Sequence, residues 1–151
     1  MMATTSLLAV STAATAHAAT QVAIICGGTK TNSGWQTYPY GGYVGGNCGA
    51  GIDYVATPTD GADDYHFTPG PGTYQVQAWI PNVYATAKVG FAIYAEDQFN
   101  IYKIIDEMNF GAEWVTIGTI TTGKQWVNVH AYLYDRSPGY YMGLDAVRLV
   151  H

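Results

Sequence analysis

Charge is scarce in this chain. Lys and Arg together number 6 and Asp and Glu 11, so only 11% of its 151 residues are charged, against roughly 25% in a typical soluble protein. The formal net charge of −5 provides no basic patch, which argues against nucleic acid or an anionic membrane surface as partner. No apolar run reaches the length of about 18 residues that reads as a bilayer-spanning helix, so no membrane insertion is expected. The chain contains no GxSxG, HExxH or P-loop pattern, and with them go the commonest hydrolase, zinc-protease and nucleotide signatures. No segment carries the period of an amphipathic helix.

Cysteine is limited to Cys26 and Cys48. An even count without CxxC spacing or a neighbouring histidine points to a structural disulfide rather than a redox or metal pair. Its closure would span about 23 residues and contribute on the order of 3 kcal/mol. An oxidising compartment is implied by the N-terminus as well. Leu7–Val10 form a short apolar centre, and Ala16-His17-Ala18 fits the small-residue cleavage rule, so residues 1–18 are read as a secretory signal and 19–151 as one domain. The signal lacks a basic residue before its apolar centre, which fits a start codon assigned too far downstream.

What the chain has in abundance is glycine (18) and tyrosine (13), with 48% hydrophobic residues, enough for one core. Pro69-Gly70-Pro71-Gly72 launches a run in which Tyr74, Val76, Ala78 and Ile80 alternate with Thr73, Gln75, Gln77 and Trp79, the period of a strand with one buried face. Similar alternation covers 87–94, 114–120 and 126–134; shorter apolar runs at 21–26, 64–67, 101–106 and 144–150 read as further strands. Residues 29–51 read as mostly loop and 53–64 as a polar connection. Strands at this spacing with Gly/Pro punctuation predict an all-β fold: a single antiparallel β-sandwich of jelly-roll type with about eight strands.

Three stretches in order, Gly72-Thr73-Tyr74-Gln75-Val76-Gln77-Ala78-Trp79-Ile80-Pro81, Trp114-Val115-Thr116-Ile117-Gly118-Thr119-Ile120 and Leu144-Asp145-Ala146-Val147-Arg148-Leu149, resemble the golvesin / xanthan-lyase carbohydrate-binding-like domain. Gly34-Trp35 and Gly41-Gly42-Tyr43 extend the resemblance over nearly the whole of 19–151. It departs from the family pattern at Ile117 and Ile120, where the family has Leu and Phe. The resemblance implies a galactose-binding-like β-sandwich of secreted bacterial proteins, often attached to polysaccharide-degrading enzymes. Fold alone does not fix function.

Carbohydrate rings stack their C–H faces on Trp and Tyr, and their hydroxyls need amide, carboxylate or hydroxyl partners. The loop residues Asn32, Trp35, Gln36, Tyr38, Tyr40, Tyr43 and Asn47 offer that mixture, and Tyr84, Asp135, Arg136, Tyr140 and Tyr141 form a second candidate cluster; equally, Trp35 and Tyr43 read as plugs of the barrel end and the others as scattered surface residues. The row Trp126, Asn128, His130, Tyr132, Tyr134 is either a flat glycan platform or the covered outer side of a sheet. Trp114 is expected in the core, Trp79 is ambiguous, and Asp145 is expected to bond turn backbone or an ion. Asp60, Asp63, Asp64, Glu96, Asp97, Asp106 and Glu107 read as ordinary turn and strand-end carboxylates, so no catalytic residue is assigned and no enzyme activity is expected. No histidine pair has zinc-ligand spacing; a structural calcium is the one ion that Asp53, Asp60, Asp63 and Asp64 suit. The expected partner is a polysaccharide or cell-envelope glycan bound by a monomer outside the cell. The other reading is a secreted structural or protein-interaction module using the same tyrosine-rich surface.

Overall fold

A computed structural model describes residues 21–31, 33–45, 48–95, 98–123 and 126–151. The expected signal segment and Asn32, Asn47, Glu96 and Asp97 lie outside these residues. Twelve strands run in chain order among the described residues: β1 (Gln21–Cys26), β2 (Thr29–Thr31), β3 (Gln36–Tyr38), β4 (Ile52–Ala56), β5 (Ala62–Phe67), β6 (Gly72–Ile80), β7 (Lys88–Ala95), β8 (Gln98–Asp106), β9 (Glu113–Thr122), β10 (Val127–Leu133), β11 (Tyr141–Leu144) and β12 (Ala146–Val150). They form a four-stranded sheet ordered β1-β12-β6-β9, a five-stranded sheet ordered β2-β5-β10-β7-β8, and a small sheet ordered β11-β4-β3. All pairings in them are antiparallel. The fold is an all-β sandwich, as the alternation predicts.

The core lies between the four- and five-stranded sheets. From β6 it takes Tyr74, Val76, Ala78 and Ile80, all buried, and from β10 Val127, Val129, Ala131 and Leu133. Period-two alternation places each set on one face of its strand. The Tyr74 hydroxyl reaches back to the carbonyls of Pro69 and Gly70, each at 3.2 Å, tying the Pro/Gly turn to the strand it launches.

The structure corrects the sequence reading in three places, each for a physical reason. The connection expected over 53–64 holds β4 and the start of β5, because Ile52 and Val55 are fully buried although only two apolar anchors mark the strand. The loop expected over 29–51 contains β2 and β3, three-residue edge strands too short to show a period. Lastly, β7 is buried on both faces, with Gly90 and Ala92 as inaccessible as Val89, Phe91 and Ile93. It is a central strand between β10 and β8, and the Tyr132 ring lies so close over Gly90 that a Cβ there would meet it at 2.7 Å. Cys26 and Cys48 form the expected disulfide, joining the end of β1 to the strap before β4 with Cα atoms 5.3 Å apart.

Candidate functional site

The surface aromatics separate into three groups, one on each sheet. On the four-stranded sheet, Trp79 and Trp114 are direct cross-strand partners, with ring centroids 5.6 Å apart. Both point away from the core, so the expectation of a core Trp114 does not hold. Tyr43 folds over the pair at 5.3 and 4.8 Å, and the Arg148 guanidinium lies 4.1 Å from the Trp114 ring while its Nε donates to Gln77 at 2.8 Å. The strap carrying Tyr43 is fixed by a short hydrogen bond from the Tyr43 amide to the Asp145 carboxylate. Burial pushes the Asp145 carboxyl up to about 6, with the nearby Asp53 charge acting in the same direction and the Tyr43 amide opposing. Tyr43 is thereby a cover for the two tryptophans.

On the small sheet, tyrosines pack on one another. Tyr54 stacks on Tyr84 at 4.1 Å with an interplanar angle of 10°, and Tyr38 and Tyr141 meet the Tyr84 ring edge-on at 5.1 and 5.3 Å. Tyr40 then contacts Tyr38 at 5.8 Å. Tyr84 holds a left-handed backbone at φ 51°, which a bulky residue adopts only where its surroundings enforce it; the three tyrosines around its ring are that enforcement. Trp35 stands apart from this group. It packs against the core, its indole donates to the Thr31 carbonyl at 3.3 Å, and the Lys30 ammonium lies 5.8 Å from its ring. The candidate loop residues thus go to three separate places, and Asn32 and Asn47 fall outside the described residues.

The second candidate cluster is divided as well. Tyr84 and Tyr141 belong to the tyrosine group. Asp135 and Tyr140 line a cavity of about 200 Å³ with Lys88, Asp106 and Met108. The Ser137 amide and hydroxyl hold the Asp135 carboxyl below the usual carboxylate range. Arg136 turns elsewhere and pairs with Asp60 at 2.5 Å.

The outer face of the five-stranded sheet carries the aromatic row of β10, with Tyr132 and His130 half-buried and Tyr102 of β8 exposed. Register places Thr31, Ala62, Tyr132, Gly90 and Ile104 in one row across it, and Thr29, Asp64, His130, Ala92 and Tyr102 in the next. Paired residues of neighbouring strands share a face, so small side chains and tall ones adjoin: the Tyr132 ring covers Gly90, and Ala62 and Ala92 lie low beside Tyr132, His130 and Tyr102. The Tyr132 and Tyr102 rings lie nearly parallel, 6.3 Å apart. Burial, together with a hydrogen bond to Tyr102, pushes the Tyr132 phenol up to about 12. Just before β10, Trp126 stacks on His66 at 6.0 Å. Polar groups stand among these rings. His130 Nδ1 faces Asp64 at 2.8 Å, and the Asn128 amide donates to the same carboxylate at 3.4 Å.

Over Ala62 this face sinks into a cavity of about 340 Å³ lined by Thr31, Asp60, Gly61, His130, Tyr132 and Arg136, among others. The volume is at the small end of the range for ligand sites. The sequence names Arg136 and the β10 row without joining them, since Asp60 lies in the loop before β5 and Ala62 opens β5. Only the register of β5 against β10 brings them together.

Asp63 and Glu107 are buried with one carboxylate oxygen each bonded to a backbone amide, and Asp53 is half-buried. Asp63 accepts from the Gly28 amide at 3.2 Å, and burial raises its carboxyl. Asp53 is paired with Lys30 at 2.7 Å. Glu107, in a single 3-10 turn after β8, is fully buried and accepts from the Gly143 amide at 3.3 Å; burial drives its carboxyl well above the usual range. Among the described residues no three His, Cys, Asp or Glu side chains converge as a metal-binding group, and no helix is long and apolar enough to cross a membrane.

No family model and no curated protein sequence matches the chain. Its fold is similar to part of a Paenibacillus xanthan lyase, at 19% identity and a TM-score of 0.62, over 84% of this chain and 12% of that one. It is also similar to part of a GH26-CBM35 β-(1,4)-mannanase from Podospora anserina, at 11% identity and a TM-score of 0.55, over 84% of this chain and 27% of that one. A third is a Paenibacillus sp. cycloisomaltooligosaccharide glucanotransferase complexed with cycloisomaltoheptaose, at 15% identity and a TM-score of 0.51, over 83% of this chain and 18% of that one. The chain therefore spans a small part of each of these proteins, and at such identities the likeness is one of fold.

Proposed function

We propose that this chain is a secreted, non-catalytic carbohydrate-binding module of the golvesin / xanthan-lyase type that holds neutral glycan on the outer face of its five-stranded sheet. One observation carries the reading: this face combines accessible aromatic rings, an oriented His130–Asp64 pair and a shallow cavity over Ala62 whose lining mixes apolar and polar groups. Flat rings for C–H stacking beside fixed hydrogen-bonding groups are what a pyranose chain requires. The tryptophans of the four-stranded sheet are covered by Tyr43, and the tyrosines of the small sheet are largely spent on one another. Fold likeness to parts of a xanthan lyase and a mannanase fits the reading. Export rests on Ala16-His17-Ala18 and on the disulfide. Absence of catalysis rests on the cavity's carboxylates, since Asp60 is engaged by Arg136 and the neighbouring Asp64 by His130.

The test is affinity electrophoresis of the wild-type chain and a Tyr102→Ala/His130→Ala variant through gels containing β-glucan, β-mannan, xylan or dextran. The wild type should be retarded by at least one polymer, and the variant should lose at least about tenfold in affinity, or about 1.4 kcal/mol, with an unchanged melting temperature. No retardation of the wild type by any polymer would sink the proposal. Phe99 and Ile104, exposed at 58% and 39% on β8, favour a second reading, an apolar protein-contact face. Under it the same variant would leave glycan retention at nil while Phe99→Ser/Ile104→Ser reduced self- or cross-association.

A further inference from the structure

The cations of this chain are unevenly paired. Lys30 is bonded to Asp53 and Arg136 to Asp60, whereas Arg148 of β12 and Lys103 of β8 have no carboxylate at ion-pair distance among the described residues. Both reach the same part of the four-stranded sheet, residues 114–116 of β9. The Arg148 guanidinium lies 4.1 Å from the Trp114 ring, and its Nε donates to Gln77 at 2.8 Å. From beyond the free edge of β9, the Lys103 ammonium donates to the Thr116 carbonyl at 2.7 Å. Gln77 links the two ends, because its amide donates to the Thr116 hydroxyl at 3.2 Å. The result is one polar row, Arg148-Gln77-Thr116-Lys103, that crosses β12, β6 and β9 with a cation at each end.

Nothing acidic answers these two charges. Burial pulls the Arg148 guanidinium below its usual range, and the group acting the other way is the Tyr43 phenol rather than a carboxylate. Glu113, next to Trp114 in the chain, alternates to the other side of β9, opposite Ile80. Away from the tryptophans the face continues in Thr73, Gln75, Thr119 and Thr121, all exposed. Guanidinium is a fork of five N–H donors, of which Arg148 spends Nε on Gln77. Forks of this kind match a carboxylate, and the pairing is stronger than one between neutral groups. We propose that this row is a binding strip for acidic glycan, in which sugar carboxylates pair with Arg148 and Lys103 while the neighbouring threonines and glutamines take ring hydroxyls. Two cations are too few to hold a nucleic-acid backbone, and a floor of hydroxyls and amides matches the hydroxyls of a sugar chain. The strip lies on the other sheet from the aromatic row of β10, so it stands whether or not neutral glycan binds there.

The experiment measures retardation of the chain in gels containing polygalacturonate, its fully methyl-esterified form or poly-glutamate. Polygalacturonate should retard the wild type, and more so at low salt than at about 0.5 M NaCl. The esterified polymer keeps the backbone and loses the charge; it and poly-glutamate should each bind at least about tenfold more weakly. Lys103→Gln, an exposed change, should weaken polygalacturonate binding by about threefold, and Arg148→Gln by about tenfold. Tyr102→Ala/His130→Ala, on the other sheet, should bind it as the wild type does. No retardation by polygalacturonate would overturn the inference, as would equal retardation by its ester. Poly-glutamate bound as tightly would overturn it in favour of an acidic peptide. Wild-type binding by Lys103→Gln would overturn it even if Arg148→Gln failed to fold, and a loss in Tyr102→Ala/His130→Ala would move the site to the other face.

Discussion

Asp145 should make the stability of this protein fall as the pH rises through 6. The carboxyl is 6% exposed and is pushed up to about 6, chiefly by burial, whereas an aspartate in the unfolded chain titrates near 3.9. Between these values the folded state binds a proton that the unfolded state does not, so the group's stabilising contribution is complete below pH ~4 and is lost as pH rises through about 6. The difference corresponds to about 3 kcal/mol between the two plateaus. Asp145→Asn removes the titration and keeps a side-chain oxygen to accept from the Tyr43 amide. Urea unfolding of both proteins at intervals from about pH 4 to about pH 8 isolates the effect, because Asp63 and Glu107, whose carboxyls burial also raises, are common to both proteins. The asparagine variant should gain on the wild type by 2–3 kcal/mol over that range, on the scale of about 1.4 kcal/mol per pH unit of displacement. Parallel pH profiles would refute the argument and mean that the Tyr43 amide compensates the buried charge in full.

Two further outcomes are expected. Tyr43→Ala uncovers Trp79 and Trp114, two of the chain's four tryptophans; intrinsic fluorescence should shift to the red and become quenchable by acrylamide, with a stability loss of about 2 kcal/mol for removing a half-buried ring. Unchanged quenching would show that the pair is not roofed by Tyr43. Glu107→Gln preserves the acceptor for the Gly143 amide and removes the burial cost that raises the carboxyl, so it should cost little stability near pH 7. Glu107→Ala leaves that amide unpaired in a buried place and should cost about 2 kcal/mol in urea unfolding; equal losses from the two substitutions would refute the assignment.

Much of the sandwich was legible because strand periodicity is a local property. Residues 73–80 and 126–134 read as strands with the correct buried faces. β4 was not legible, since Ile52 and Val55 are too few to set a period amid Asp53 and Tyr54, and β2 and β3 are each three residues long. The site was less legible for a different reason. Its composition could be read, as with the aromatic row on β10, but which aromatics lie open depends on what crosses over them. Tyr43 reads from the sequence as either a ligand-facing or an end-plugging residue and covers a tryptophan pair, while Tyr38 and Tyr40 meet Tyr84 from far along the chain. Arg136 was named without its partner because an ion pair to Asp60 follows from the register of β5 on β10.

The pairing of β1 with β12 has a kinetic consequence. Gln21 lies opposite Val150 and Cys26 opposite Ala146, so the four-stranded sheet gains β1 only through a closure that spans most of the chain. Non-local pairings of this kind slow folding, and here β6 and β9 can pair, and β12 can join them, while β1 still waits. Until that last strand arrives, β12 is an open edge of Ala146, Val147, Leu149 and Val150, able to recruit strands from other molecules. A refolding experiment should therefore be most prone to aggregate in its late stage, and early closure of the Cys26–Cys48 loop, which fixes the end of β1 to the strap beside β4, would shorten that interval.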